Sequence, residues 1–193
     1  VYTLYTMVDG MFVAKGVGET ALAAVNISMP LINIAFGISI LLAVGASTRA
    51  SIYKGQNDKD NANKVFSAST ITVFIIGVLF TLVTYFNLDF FAHLLGSSAE
   101  THEYVIDYLS VIVLFFPFYM TSYNLEVLIK ADGHPRKAVT AILIGAFTNI
   151  VLDYLFVIQF GYGIKGAAVA TGLSQLISFS IFFIHYLFNK KGF

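Results

Sequence analysis

Residues 141–158 read AILIGAFTNIVLDYLFVI, and this stretch decides the fold. As a helix rising 1.5 Å per residue it reaches about 27 Å, close to the ~30 Å hydrocarbon thickness of a bilayer. Two polar residues interrupt it, Asn149 and Asp153, one helical turn apart and therefore on one face. An ionisable group at membrane depth costs a few kcal/mol at least, so it marks a functional site by default. The pattern recurs near the other end of the chain, where YTLYTMVDGMFVA (2–14) carries Asp9.

The composition extends this reading to all 193 residues. Hydrophobic residues make up 58% and charged residues 11%, against about 25% charged in soluble domains. The mean hydropathy is +0.80. A net charge of zero supplies no global field for nucleic acid, and no nucleic-acid partner is expected. The absence of cysteine excludes disulfides, zinc thiolates and thiol nucleophiles. The four histidines lie far apart without a two-His helical spacing, so they predict no metal centre. No glycine-rich phosphate loop is present to drive an ATP engine. NDKDNAN (57–63) begins like an EF-hand, but Ala62 stands at a ligand position and no Gly and Glu follow as required. It reads as a solvated loop. Neither an enzyme nor a cofactor is predicted.

Apolar periodicity predicts an all-α polytopic membrane protein of six transmembrane helices, at about 1–14, 21–53, 65–86, 104–129, 138–158 and 166–188. The first run is short of the roughly 20 residues a span needs, so the chain is expected to begin inside a truncated first helix. The other five are long enough, and too long for barrel strands. GHP at 133–135 joins a helix-stopping glycine to a proline suited to restarting one. LDFFAHLLG (88–96) reads either as a short interfacial helix or as an ordinary apolar loop. Nine basic residues (Arg49, Lys54, Lys59, Lys64, Lys130, Arg136, Lys137, Lys190 and Lys191) flank the even-numbered loops and the C-terminus; Lys15 and Lys165 lie on the other side. The positive-inside rule then makes the even loops cytoplasmic and the odd ones external.

Counting from those boundaries sets the depth of the polar residues. Asp9 is six residues before Lys15, Asp153 six before Gln159, and Thr171 six after Lys165. Asn26 is about five residues into its helix. All four lie roughly 8–9 Å inside the outer boundary. Asn149 is one turn deeper than Asp153, and Tyr5 one turn from Asp9. The two outer hairpins echo one another around GVG (16–18) and GYG (161–163), each leading into a helix of small residues that favours close packing. Plainer readings stand beside the functional one. Asp9 could pair with Lys15, Asp153 could be a structural carboxylate held by Asn149, and Asn26, Thr171 and Tyr5 could join helices. Glu126, four residues from Lys130, is read first as a surface i,i+4 pair.

Four stretches resemble the multidrug and toxic compound extrusion (MATE) family of secondary antiporters. They are VDGMFVAKGVGETALAAVN (8–26), VGASTRASIYKGQND (44–58), IKADGHPRKA (129–138) and TNIVLDYLFVIQFGYGIKGAAVAT (148–171). The resemblance implies a fold of twelve helices in two six-helix lobes. This chain, residues 1–193, is then the N-terminal transmembrane lobe, and a C-terminal lobe is expected as its partner. It also implies a cation site in which an aspartate of the first helix, an Asn-x-x-x-Asp pair of the fifth and a threonine of the sixth match Asp9, Asn149, Asp153 and Thr171. A tyrosine one turn before the first aspartate matches Tyr5. The family pattern commonly has an amide near Glu126, where this chain carries a third carboxylate.

The expected function is secondary active export of organic cations, driven by inward H⁺ or Na⁺, in a multi-pass protein of the plasma (inner) membrane. A proton or Na⁺ arriving from outside would neutralise Asp9 and Asp153 and release a cationic drug. With Na⁺ as the coupling ion, Asp9, Asn149, Asp153 and Thr171 would be its metal ligands. Aromatic side chains would hold the drug, and Pro30 and Pro117 would supply kinks. The alternatives are a lipid-linked sugar flippase of the same superfamily, or a structural or channel protein whose aspartates only join helices.

Overall fold

The computed structural model describes residues 2–188, with side chains from 7 to 187. Its elements are α1 (Tyr2–Gly16), α2 (Glu19–Gly55), α3 (Lys59–Tyr85), α4 (Leu88–Leu94), α5 (His102–Ile112), α6 (Phe116–Ala131), α7 (Pro135–Asp153) and α8 (Gly163–Phe188). A 3₁₀ turn at Val113–Phe115 joins α5 to α6, and a π-helical turn at Tyr154–Gln159 continues α7. There is no strand among the described residues. Five helical runs are long and apolar enough to cross a membrane: Glu19–Gly55, Lys59–Tyr85, His102–Ala131, Pro135–Gln159 and Gly163–Leu187. With α1 they form the all-α bundle predicted from the sequence.

α6 lies at the bundle centre, packed on α2, α3 and α8, with α7 packed on α8 and α1 on α7. Close approach depends on small residues. A Cβ at Gly145 of α7 would overlap Ser178 Oγ of α8, so those two helices meet at a separation that a side chain would forbid. The same helix α7 has two chemically different faces. Phe147 is 69% exposed, whereas Asn149, two residues on, is fully buried. The apolar outer face suits hydrocarbon and the polar residues turn inward.

The predicted helix at 65–86 begins earlier, at Lys59. Asp58 caps it, accepting from the Asn61 backbone N–H at 3.1 Å and from Asn61 Nδ2 at 2.7 Å. NDKDNAN is therefore a helix cap and first turn rather than the solvated loop expected, because a capping carboxylate satisfies amides that the helix leaves unpaired. The stretch at 88–96 does form a short helix, α4, with Phe90 and Leu94 exposed. At the opposite face, Gly133 (φ 92°) ends α6 and Pro135 opens α7.

Pro30 and Pro117 differ in their effect. Pro30 sits inside α2, which runs unbroken from Glu19 to Gly55. Pro117 has no N–H to give the Val113 carbonyl, and α5 there tightens into its 3₁₀ turn. Val113 O instead accepts from the Phe116 amide and from Thr81 Oγ1 of α3 at 2.7 Å. The neighbouring α3 residue on that face, Gly77, lets the helices touch. A Cβ there would stand 2.7 Å from Pro117 Cα.

Candidate functional site

Asp9 of α1 and Asp153 at the end of α7 are buried, the first 6% and the second 0% exposed. Their carboxyl groups are near enough to interact electrostatically, and Asn149 lies one helical turn before Asp153 on the same face of α7. The backbone explains how α1 comes so near. Gly16 at its end packs on the π turn, where a Cβ would lie 2.6 Å from Val157 Cγ1. That turn begins immediately after Asp153 and is closed by the Phe160 N–H bonding Leu155 O at 2.9 Å. π-Helical turns inside α-helices are frequent at functional sites. Three glycines of the GVG and GYG hairpins take the left-handed backbone, Gly18 at φ 124° and Gly161 and Gly163 at 65° and 61°.

Across the α7–α8 interface Asn149 Nδ2 donates to Thr171 Oγ1 at 3.3 Å. This leaves Asn149 Oδ1, both oxygens of Asp153 and Oδ1 of Asp9 buried with no donor among the described residues. Four buried acceptors without donors are unfavourable unless a proton or cation joins them. The geometry therefore brings Asp9, Asn149, Asp153 and Thr171 into one oxygen-rich cluster.

Two cavities adjoin the cluster. The larger, about 310 Å³, is lined by residues that include Phe36, Tyr119, Tyr123, Glu126, Asn149 and Gln175. The smaller, about 40 Å³, reaches Asp9, Tyr108 and Thr171. Tyr119 and Gln175 line both and stand between the acidic pair and the larger chamber. Phe36 packs edge-on against Tyr123 with ring centroids 4.7 Å apart. Sequence reasoning did not single out Phe36, Tyr119, Tyr123 or Gln175. Helical spacing held the signal: Gln175 is four residues after Thr171, and Tyr123 four after Tyr119, so each pair shares a face.

Other expected site residues fall differently. Asn26 shares the depth of Asp9 but is exposed on α2 and lines neither of these cavities; depth along a helix does not set its azimuth. Tyr5 lies outside the described side chains. Glu126 makes the i,i+4 ion pair with Lys130 that its spacing suggested, and it also faces the larger cavity. Asp107 is bound to Lys165 at 3.0 Å, tying α5 to α8. The histidines, far apart in sequence, meet in two pairs: His93 with His102 and His134 with His185, at ring separations of 4.4 and 5.4 Å.

A bundle of apolar helices around a buried acidic cluster and an adjoining cavity defines the class: a polytopic membrane protein built like a transporter lobe. The MatE family profile matches residues 1–155, and the chain belongs to that family. It is 31% identical over 170 residues to the multidrug export protein MepA of Staphylococcus saprophyticus, covering 88% of this chain and 38% of that protein. Among solved structures it resembles the inward-facing conformation of a multidrug resistance MATE family transporter of the MOP superfamily (TM-score 0.91, 29% identity). That match covers 98% of this chain and 43% of the other. It also resembles a MOP superfamily transporter from Pyrococcus furiosus, described by a reverse polarity of the binding pocket that suggests a different function (TM-score 0.89, 30% identity, 98% and 42% covered). The chain thus spans about two fifths of the length of these relatives.

Proposed function

We propose that the chain is one lobe of a secondary transporter that exports organic cations in exchange for H⁺ or Na⁺, working against the second lobe that the family resemblance implies. The observation that carries this reading is the set of four buried, donor-less oxygens on Asp9, Asn149 and Asp153. Two interacting buried carboxyl groups cannot both stay charged without a proton or a cation between them. Either ion suits the cluster, since a hard cation takes oxygen ligands and a proton needs only the carboxyl pair. The proton makes the lesser geometric demand, and it is the ion we favour.

The exchange follows from charge. With the pair ionised, the adjoining cavity is acidic and holds a cation against Tyr and Phe faces. Neutralisation by an ion from outside weakens that attraction and favours release. The distribution of lysine and arginine supports cytoplasmic even-numbered loops and entry of the ion from the outer face of a plasma membrane. Rocking of two lobes would alternate access to the cavity.

A sugar-lipid flippase is the second reading. Glu126 is the charged side chain among those lining the larger cavity, and an acidic lining favours a cation over a diphosphate. The deciding experiment uses the full-length protein in liposomes with a fluorescent organic cation. A pH gradient at zero Na⁺ should drive transport, and Asp153→Asn should abolish it. Transport driven only by a Na⁺ gradient at symmetric pH would overturn the choice of ion. No ion-driven transport under either gradient would overturn the function.

A further inference from the structure

The paired histidines lie outside the transport machinery and form two clusters, each with an aspartate. At the end of the bundle that holds α4, Asp89 and His93 sit one turn apart on that helix and His102 opens α5. At the other end Asp132, His134 and His185 converge. In both, one ligand atom from each residue lies within 4.8 Å of the other two.

Electrostatics separates the clusters. Asp132 is already paired with Lys54, whose Nζ also bonds the Asp132 carbonyl at 2.9 Å, and Lys137 Nζ lies 3.3 Å from His185 Nδ1. Two ammonium groups there supply the positive charge and repel a metal dication. Among the described residues Asp89 has no lysine or arginine ion pair; its partners are His102 Nε2 at 2.9 Å and His93 Nε2 at 3.8 Å.

We propose that Asp89, His93 and His102 form a binding site for a divalent transition-metal ion, with Zn²⁺ as the probe. Ligand atoms about 2.0–2.2 Å from a tetrahedral zinc stand about 3.3 Å from one another; the distances from Asp89 Oδ1 to His102 and from Asp89 Oδ2 to His93 lie on either side of that value. One carboxylate and two imidazoles on three corners leave the fourth open to water, a common donor set for zinc. The second imidazole nitrogen of His102 is also provided for. Nδ1 lies 2.8 Å from Ser97 Oγ, so with Nδ1–H donating to the hydroxyl, Nε2 offers its lone pair to the ion. Partners of this kind orient metal-bound histidines. The loop that carries Ser97 is held in place: Ser97 N–H bonds Ala92 O at 3.1 Å and Ser98 N–H bonds Thr101 Oγ1 at 2.9 Å. The bound ion would fasten α4 to the start of α5.

The test is a Zn²⁺ titration of purified full-length protein by calorimetry, independent of transport. The wild type should bind one more equivalent than His93→Ala or His102→Ala, and the same number as His134→Ala. Ser97→Ala should keep that equivalent with affinity weakened about 10–100-fold. Asp89→Asn, of unchanged size, guards against misfolding and should weaken it as well. Co²⁺ in place of Zn²⁺ should give visible absorption bands that His102→Ala loses. Equal stoichiometry in wild type and both outer histidine variants, or loss of the equivalent in His134→Ala instead, would overturn the proposal.

Discussion

Asn149 and Thr171 are joined across the α7–α8 interface by a single hydrogen bond, amide to hydroxyl, at 3.3 Å. Asn149 uses one amide N–H on that bond, and its Oδ1, both oxygens of Asp153 and Oδ1 of Asp9 are buried, all four lacking a donor among the described residues. In the proposed function this bond would order the acceptors that meet the coupling ion. Replacing Thr171 by valine keeps the shape and removes the oxygen. One lost hydrogen bond is about 1–1.5 kcal/mol, so half-maximal transport by the full-length protein should need roughly tenfold more of the driving ion. An unchanged ion dependence in liposomes would deny Thr171 this role.

The proposed function gives Glu126 a different task. It faces the larger cavity while holding Lys130, away from the Asp9–Asp153 pair. Glu126→Gln should therefore leave dependence on the ion gradient intact and lower efflux of a monocationic dye severalfold. Asp153→Asn should stop efflux altogether. Both variants are compared at matched membrane abundance. Complete uncoupling by Glu126→Gln would make it part of the ion mechanism.

The junction at Pro117 is a stability prediction. Thr81→Val removes the hydroxyl bound to Val113 O and should cost about 1 kcal/mol. Gly77→Ala forces a Cβ to 2.7 Å from Pro117 Cα, a backbone atom that cannot swing aside, and should cost about 1–3 kcal/mol. Thermal unfolding in detergent reads both. If Gly77→Ala melts like wild type, the close packing of α3 on α6 is not limiting.

Asp58 carries a pH dependence with a defined sign. The Asn61 backbone N–H and side-chain amide hold its carboxyl below the ordinary carboxylate value. A folded-state value below the unfolded one means the cap is at full strength above the ordinary value of about 3.9. Its contribution is lost as pH falls through the lower, folded value. Protection of the Asn61 amide, its hydrogen exchange taken relative to the unstructured rate at each pH, should fall on acidification in the wild type. In Asp58→Asn, which still caps, protection should show no such step, and in Asp58→Ala it should be low throughout.

Much of this was legible in one dimension. Apolar runs of membrane length around Asn149 and Asp153 set the class, because a bilayer demands helices with their backbone bonds satisfied internally. The i,i+4 rule put Asn149 on the face of Asp153, and counting from boundary lysines put Asp9 at the same depth. Helix propensity and hydropathy are local properties, so they survive being read along a string.

Azimuth is not local, and the tertiary structure decided it. Asn26 shares the depth of Asp9 yet faces outward, since helix rotation is set by which neighbours pack against it. Tyr119 and Gln175 became the partition between two cavities only when α6 met α8. Thr81 found the Val113 carbonyl because Pro117 had left it short of a donor. The histidines show the limit most plainly: a spacing that excluded a metal centre along the chain said nothing about chain reversals. The turn after α4 brings His102 back onto His93, and the end of α8 meets the α6–α7 turn at His134. The order of residues chose the membrane and the acidic site; the packing of helices chose which polar groups meet.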